Sequence, residues 1–370
     1  MPVHGVTVCE QTLSKGTSGC APSYMFDRKG YRRGHVLVRE GRKTKMMRSR
    51  NRLGAVVLIL AATVVAGCGS QPSAEGSFDK TLTVSGPIRI ELTNGNGDSH
   101  VTTGPAGEIR VHGEIQVKAW SDKTGQRRVD EIQANPPVVQ DGSLVHIGGS
   151  GWSSKDVSID YTITVPADAE IRATTGSGDL EINGLKGPAN FIAGSGDIKA
   201  SKISGDVHAT AGSGAIDLSD IGGQVQVTTG SGDITLDRIQ GDIRLQANSG
   251  TLEITDPTGK LEASTSSGDI TIRGGAADIR IRTSSGDVNV DGNPGANNYW
   301  DFHTVSGDVE LHTPSSASFR LYARSSSGDI EAQIPVTMEG TSGKHEFQAR
   351  IGDGKARVEI TSSSGGISLK

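Results

Sequence analysis

From Val157 onward the chain alternates apolar and polar positions in short runs that recur at a fixed interval. Rows such as GDITLDRIQ (232–240) and GDIRLQANS (241–249) read Gly-x-φ-x-φ followed by a four-residue turn. Two-residue alternation of this kind marks a strand with one face buried, so Ile234, Leu236, Ile243 and Leu245 are expected to share an interior. Pairs of rows repeat in turn, as GSGDL (176–180), GSGDI (194–198), GSGAI (212–216), GSGDI (230–234), NSGTL (248–252), SSGDI (266–270) and SSGDV (284–288), with central glycines 18 residues apart. Counting every ninth position from Gly178 to Gly295 finds glycine at 13 of 14 places, Ala277 being the exception.

Short strands at constant period suit either hairpins or a solenoid, and the strictness of the repeat separates them. A meander has no reason to repeat its turns so closely. In a solenoid, equivalent residues of successive coils stack at about 4.7–4.9 Å, so each position meets its own copy. The pattern therefore predicts an all-β fold, a single-stranded parallel β-solenoid of the β-helix or β-roll kind, with about 18 residues per coil in two nine-residue halves. Seven coils from 178 to 303 would extend roughly 34 Å. Leu185, Ile203, Ile221 and Ile239 recur in one turn and are expected to fill a rounded edge.

The regular solenoid is expected over 166–303, flanked by an amino-terminal cap with first coils (78–165) and irregular coils with a carboxy-terminal cap (304–370). Upstream, residues 129–147 read as a short helical excursion followed by a strand. Downstream the spacing loosens, with Gly307 and Gly328 each 21 residues beyond the preceding marker. Tyr299, Trp300, Phe302, Phe319, Tyr322 and Phe347 gather there. A solenoid end must cover unpaired strand edges, which makes a cap the plain reading. Tyr299, Trp300, Phe302 and Tyr322 as an aromatic platform for sugars is the sharper one.

Composition agrees with a thin, repetitive interior, since 51 glycines and 4% aromatics are too lean for a thick globular core. Charge divides the chain. Residues 1–52 hold 12 Lys and Arg against Glu10, Asp27 and Glu40, whereas from Cys68 onward 25 basic face 39 acidic residues. An acidic mature chain without a basic, aromatic-interleaved strip argues against nucleic acid as a partner.

The basic segment ends in an export signal. Residues 46–67 place Arg48, Arg50 and Arg52 before an uncharged run from Leu53 to Ala66, and Val65-Ala66-Gly67-Cys68 resembles a lipobox. The apolar run is about 14 residues, short of the roughly 20 a spanning helix needs. An uncleaved anchor helix or a buried strand would lack that flank and that cysteine context. The expectation is a lipoprotein signal peptide, lipidation at Cys68, and a lipidated tether over 68–77. The protein would lie in the cell envelope outside the cytoplasmic membrane, at the outer membrane in a diderm organism. Residues 1–45 precede Met46 and Met47, the better initiators, and read as a start-site overcall or a disordered extension.

Tyr161-Thr-Ile-Thr-Val-Pro166, followed by repeated Ser-Gly-Asp-Ile units, resembles the bacterial putative-adhesin family of unknown function over roughly residues 80–370. The resemblance implies an exported β-solenoid with adhesion proposed, and no catalytic residues to carry over.

For chemistry, Asp179, Asp197, Asp233, Asp269, Asp287, Asp308 and Asp329 follow the marker glycines and should form an exposed column, a candidate cation or ligand edge. Stacked carboxylates at this spacing repel by about 1 kcal/mol per pair in water, which calcium would relieve. Ala215 and Thr251 interrupt the column, and the repeat lacks the G-G-x-G-x-D-x-U-x pattern of calcium-binding nonapeptides. The plainer reading is turn geometry, with Asp accepting local N–H bonds and Gly adopting positive φ. No cofactor is expected otherwise. Outward Glu181, Asp217, Asp237 and Glu253 form no recognisable glycosidase pair. A non-catalytic surface lipoprotein, an adhesin or other binding scaffold for a glycan or envelope protein, is therefore the leading expectation. An envelope-stress or structural accessory is the alternative, and a polysaccharide-acting enzyme follows behind both.

Overall fold

The computed structural model describes residues 73–149 and 156–370. The signal segment and Cys68 lie outside the described residues. The fold is an all-β solenoid with one α-helix, Asp122–Ala134, among the described residues. Its strands form a 14-stranded first sheet and a 15-stranded second sheet.

Each coil of the stack gives one strand to each sheet. In the first sheet Ile198, Ile216 and Ile234 pair in parallel register, and in the second Val207, Val225 and Ile243 do the same. The register steps by 18 residues, so the interior is built of columns of like side chains. Ile198, Ile216, Ile234, Leu252, Ile270 and Val288 are fully buried in one such column. Burying each contributes about 1.5–3 kcal/mol.

The apolar corner has a backbone cause. Inward positions alternate at Ile198 and Ala200, then skip to Ile203. The residue before the corner is left-handed in successive coils: Gly184 (φ 93°), Lys202 (55°), Asp220 (55°) and Arg238 (54°). It resets the alternation so that Leu185, Ile203, Ile221 and Ile239 turn inward, all buried. A non-glycine residue in this conformation costs about 1–2 kcal/mol, comparable to or less than the corner side chain returns. Arg238 also donates to Asp220 through Nε (2.7 Å) and Nη2 (3.1 Å), pinning two of these left-handed residues together. That hydrogen bond holds the Asp220 carboxyl below its ordinary range.

The marker glycines answer a different need. Gly178, Gly196, Gly214 and Gly232 are not among the residues with positive φ, so the left-handed turn expected of the markers is met at Gly250 (φ 132°) and not at these four. A Cβ on Gly214 would strike the carbonyl oxygen of Gly196, and one on Gly232 that of Gly214. Successive turns stack backbone on backbone, and any side chain would separate the coils.

At both ends chain order and spatial order part. The coil formed by Arg89–Asn94 and Ser99–Gly104 is sandwiched between Leu144–Gly148 with Val157–Pro166 on one side and Glu170–Thr175 with Leu180–Asn183 on the other. Ser73–Thr83 and Glu108–Lys118 then close the first sheet in antiparallel fashion. The helix packs Val129 and Ile132 inward, and Gln133 Nε2 donates to the Ser77 carbonyl at 2.8 Å. Residues 73–77, expected in the tether, therefore belong to a strand.

At the other end Ala356–Ser362 and Ile367–Leu369 insert between Tyr299–Thr304 with Val309–His312 and Phe319–Ser325 with Ile330–Ala332. The antiparallel pair Thr337–Ser342 and Glu346–Ile351 covers Phe319–Ser325. Trp300, Phe302 and Phe319 are fully buried here. The sugar platform is thus corrected for Trp300 and Phe302, which occupy the inward positions of Tyr299–Thr304 and pack at 6.1 Å between ring centroids.

Candidate functional site

The aspartate column sits at the turn leading into the first sheet, and its carboxylates have a defined task. Asp179 Oδ1 accepts the backbone N–H of Asp197 (2.9 Å), Asp197 that of Ala215 (2.8 Å), and Asp233 that of Thr251 (2.8 Å). Asp269 accepts from Asp287 (2.9 Å), Asp287 from Asp308 (2.8 Å) and Asp308 from Gly366 (2.7 Å). Each carboxylate clamps its coil to the next. The last partner is 58 residues away because the returning coil, not the following one, lies against Asp308. Asp329 is exposed on the outermost coil. Ala215 and Thr251 take part as donors, so the interruptions cost one acceptor each without breaking the stack. Among the described residues no three His, Cys, Asp or Glu side chains converge as a metal site.

A second aspartate column lies on the opposite turn. Asp206 Oδ1 accepts from Gln224 N (2.8 Å), Asp242 from Lys260 N (3.0 Å) and Asp278 from Tyr299 N (2.9 Å). Gly205-Asp206 and Gly241-Asp242 carry the signal for it at the second marker of the coil.

Beside this second column the outer face of the second sheet forms a groove of about 720 Å³. It spans the coils from Glu170 to Tyr299. One wall is a row of outward residues held in register by the sheet: Arg172, Asn190, His208, Gln226, Arg244, Glu262 and Arg280. The other is the turn with Glu170, Asp206, Gln224, Asp242, Lys260 and Asp278. Six of its nine acidic and basic side chains are ion-paired, and Arg172, Asp206 and Asp242 are the other three. Arg244 pairs with Glu262 (2.8 Å), Lys260 with Asp278 (4.0 Å), Arg280 with Asp301 (3.7 Å) and Glu170 with Arg89 (3.1 Å). What remains is a strip of N–H donors and carbonyl or carboxylate acceptors without a dominant sign.

Tyr299 ends this groove and also lines a second depression of about 640 Å³ with Tyr322, Arg320 and Arg357. The Arg357 guanidinium lies 5.7 Å from the Tyr299 ring centroid, a cation–π contact. Tyr299 Oη donates to Glu359, and Tyr322 Oη to Glu346 at 3.2 Å. Burial pushes the Tyr299 phenol up to about 12, helped by the hydrogen bond to Glu359 and the nearby Asp301. Burial acts to raise Glu359 as well, but donation from Tyr299 and Arg357 outweighs it and holds the carboxyl below its ordinary range. Of the four aromatics named from the sequence, Tyr299 and Tyr322 thus reach this face.

Of the four outward carboxylates of the first sheet named from the sequence, three lie against a basic side chain and Asp217 does not. Glu181 meets His100 (3.2 Å), Glu253 meets Arg273, and Asp237 meets Arg238.

No curated protein matches the chain. Similar solved structures include a "putative adhesin" from Bacteroides fragilis (13% identity, 82% of this chain and 100% of that one, TM-score 0.28). A "putative cell adhesion protein" from Clostridium sporogenes is also similar (13% identity, 80% and 99%, TM-score 0.20). So is a "putative lipid binding protein" from Parabacteroides distasonis (12% identity, 80% and 97%, TM-score 0.29). The family model described as Toastrack DUF4097 matches residues 222–370. Over those residues, the carboxy-terminal half of the stack and the returning coil, the chain is similar to Toastrack DUF4097, a family whose function is unknown.

Proposed function

We propose that this chain is a non-catalytic lipoprotein of the cell envelope, anchored through Cys68, whose second sheet binds an extended, uncharged glycan along the groove from Glu170 to Tyr299. The supporting observation is the row Arg172, Asn190, His208, Gln226, Arg244, Glu262 and Arg280, which offers polar groups at every coil in one register. Internal pairing of its charges disfavours a polyanion, which would meet Asp206, Asp242 and Asp278, and equally a polycation. Hydroxyl groups use both donors and acceptors, and they tolerate a neutral strip. Tyr299 adds an apolar ring at one end, as sugar faces favour.

The test is a glycan array probed with the lipidated full chain and with a variant carrying Arg172→Ala, Gln226→Ala and Arg244→Ala. Binding by the first and at least tenfold weaker binding by the second is expected. Equal binding by both would remove the groove from the account. Anchoring is checked separately: Cys68→Ala should move the protein from the membrane fraction to the soluble fraction, and a variant that stays with the membrane would contradict it.

A further inference from the structure

Trp120 is 95% exposed, although tryptophan is among the side chains with most to gain from cover. It stands immediately before Ser121, the N-cap of the helix Asp122–Ala134. A large apolar residue at that position ordinarily packs on the fourth helical residue. Here the fourth residue is Gly125, whose missing side chain lets the helix approach Ala74 and Ala119. The local reason for an apolar residue is thus absent, and Trp120 projects into solvent.

Its place in the fold gives the exposure a meaning. Lys118 is the register partner of Ser73, the first residue of the edge strand Ser73–Thr83. Trp120 follows Lys118 by two residues, so its backbone lies on the order of 12 Å from Ser73. Four residues separate Ser73 from Cys68, and the five steps span at most about 18 Å when extended. A lipid on Cys68 would hold Trp120 within reach of the membrane surface.

We infer that Trp120 is a membrane-interface foot, seated among the lipid headgroups beside the lipidated cysteine, which orients the amino-terminal end of the solenoid on the bilayer. This rests on the anchoring reading of Cys68. Tryptophan suits the headgroup level because its ring is apolar while its indole N–H keeps a polar partner. Exposed Lys118, Lys123 and Arg127 flank it, but Glu75, Asp122 and Asp130 offset them. Electrostatic attraction is therefore minor, and neutral lipid suffices. A diacylated cysteine already supplies affinity, so the foot sets orientation rather than retention. The groove, which starts three strands in from this end of the second sheet, would then run away from the membrane.

The experiment uses full-length protein carrying Trp152→Phe, purified from a lipoprotein-processing host and placed in phosphatidylcholine vesicles with or without brominated acyl chains. Mass spectrometry first reports the lipid on Cys68. Emission from Trp120 is taken as the difference from the same protein with Trp120→Phe added, which leaves buried Trp300. More than half of that difference should be quenched by the brominated lipid, with little change between low and high salt. Lipidated protein whose Trp120 emission is unquenched overturns the foot and leaves the anchor standing. Protein without lipid overturns the anchor, and the foot with it.

Discussion

From Ala189 to Asp291 every coil rests on the one 18 residues before it, whereas from Tyr299 the spacing loosens, and beyond Phe319 the chain runs outward, turns, and returns to fill a place it had skipped. The regular region stacks small and medium side chains at short range, with glycine turns touching backbone to backbone. The end region, from Tyr299 onward, fills its interior with the large side chains of Trp300, Phe302 and Phe319. One region is limited by how closely coils can approach. The other is limited by how well its interior is filled. Stacking leaves an open edge at each end, and the interleaved coils answer it: each of them is covered on both faces, and the exposed edges are left to short or antiparallel strands.

This contrast predicts different failures. The largest effect belongs to the filled region, where Trp300→Ala should cost about 3–5 kcal/mol through the cavity it leaves. Urea unfolding measures it, and a loss under about 1 kcal/mol would return Trp300 to the surface. Next is the close-approach region, where Gly214→Ala should cost about 1–3 kcal/mol or more as coils are forced apart. Gly142→Ala is its control, because Gly142 has φ of 61° with open space around it and should lose only about 1 kcal/mol. Equal losses at the two glycines would erase the distinction between packing and conformation.

Smaller again is the clamp between coils. Asp233→Ala removes the acceptor for the Thr251 N–H and should cost about 1–2 kcal/mol, with amide exchange at Thr251 accelerated more than at Ile254 within the neighbouring strand. Unchanged exchange would make the aspartate column ornamental. The smallest effect is acidic. Glu359 lies below its ordinary value of 4.5 in the folded chain, so its contribution is complete above that value and is lost as pH falls through the lower folded one. Comparing wild type with Glu359→Gln should show under about 1 kcal/mol of such dependence, confined to pH below about 4.5. A difference that appears only above that range would have the wrong sign.

Much of the stack is legible in the sequence because neighbouring coils are neighbouring repeats. The 18-residue period, the inward Ile and Leu columns and the apolar corner at Leu185, Ile203, Ile221 and Ile239 all follow from it. The left-handed residue before the corner is only half legible, since Gly184 and Asp220 are types that adopt positive φ but Lys202 and Arg238 are not. Interleaving at the ends is hidden for a related reason: the partner of Asp308 is Gly366, and no constant spacing links them. Trp300 and Phe302 could have been placed, because alternation in Tyr299–Thr304 sends both inward while Tyr299 stays out. The groove was missed because its residues vary from coil to coil, and a search for repetition passes over positions that do not repeat. Residues 73–77 escape the same logic, for the edge strand begins among small polar residues that read as tether.

The central claim is that the varied face of the regular stack binds along its length, so that polar contacts accumulate coil by coil. Calorimetric titration of the full chain with one neutral glycan at increasing length tests it most directly. The account predicts affinity that rises at least tenfold, about 1.4 kcal/mol, between a disaccharide and a chain spanning the groove, roughly 34 Å over its seven coil steps, and then levels off. Affinity independent of length, or unaltered by Arg172→Ala, Gln226→Ala and Arg244→Ala together, would contradict it.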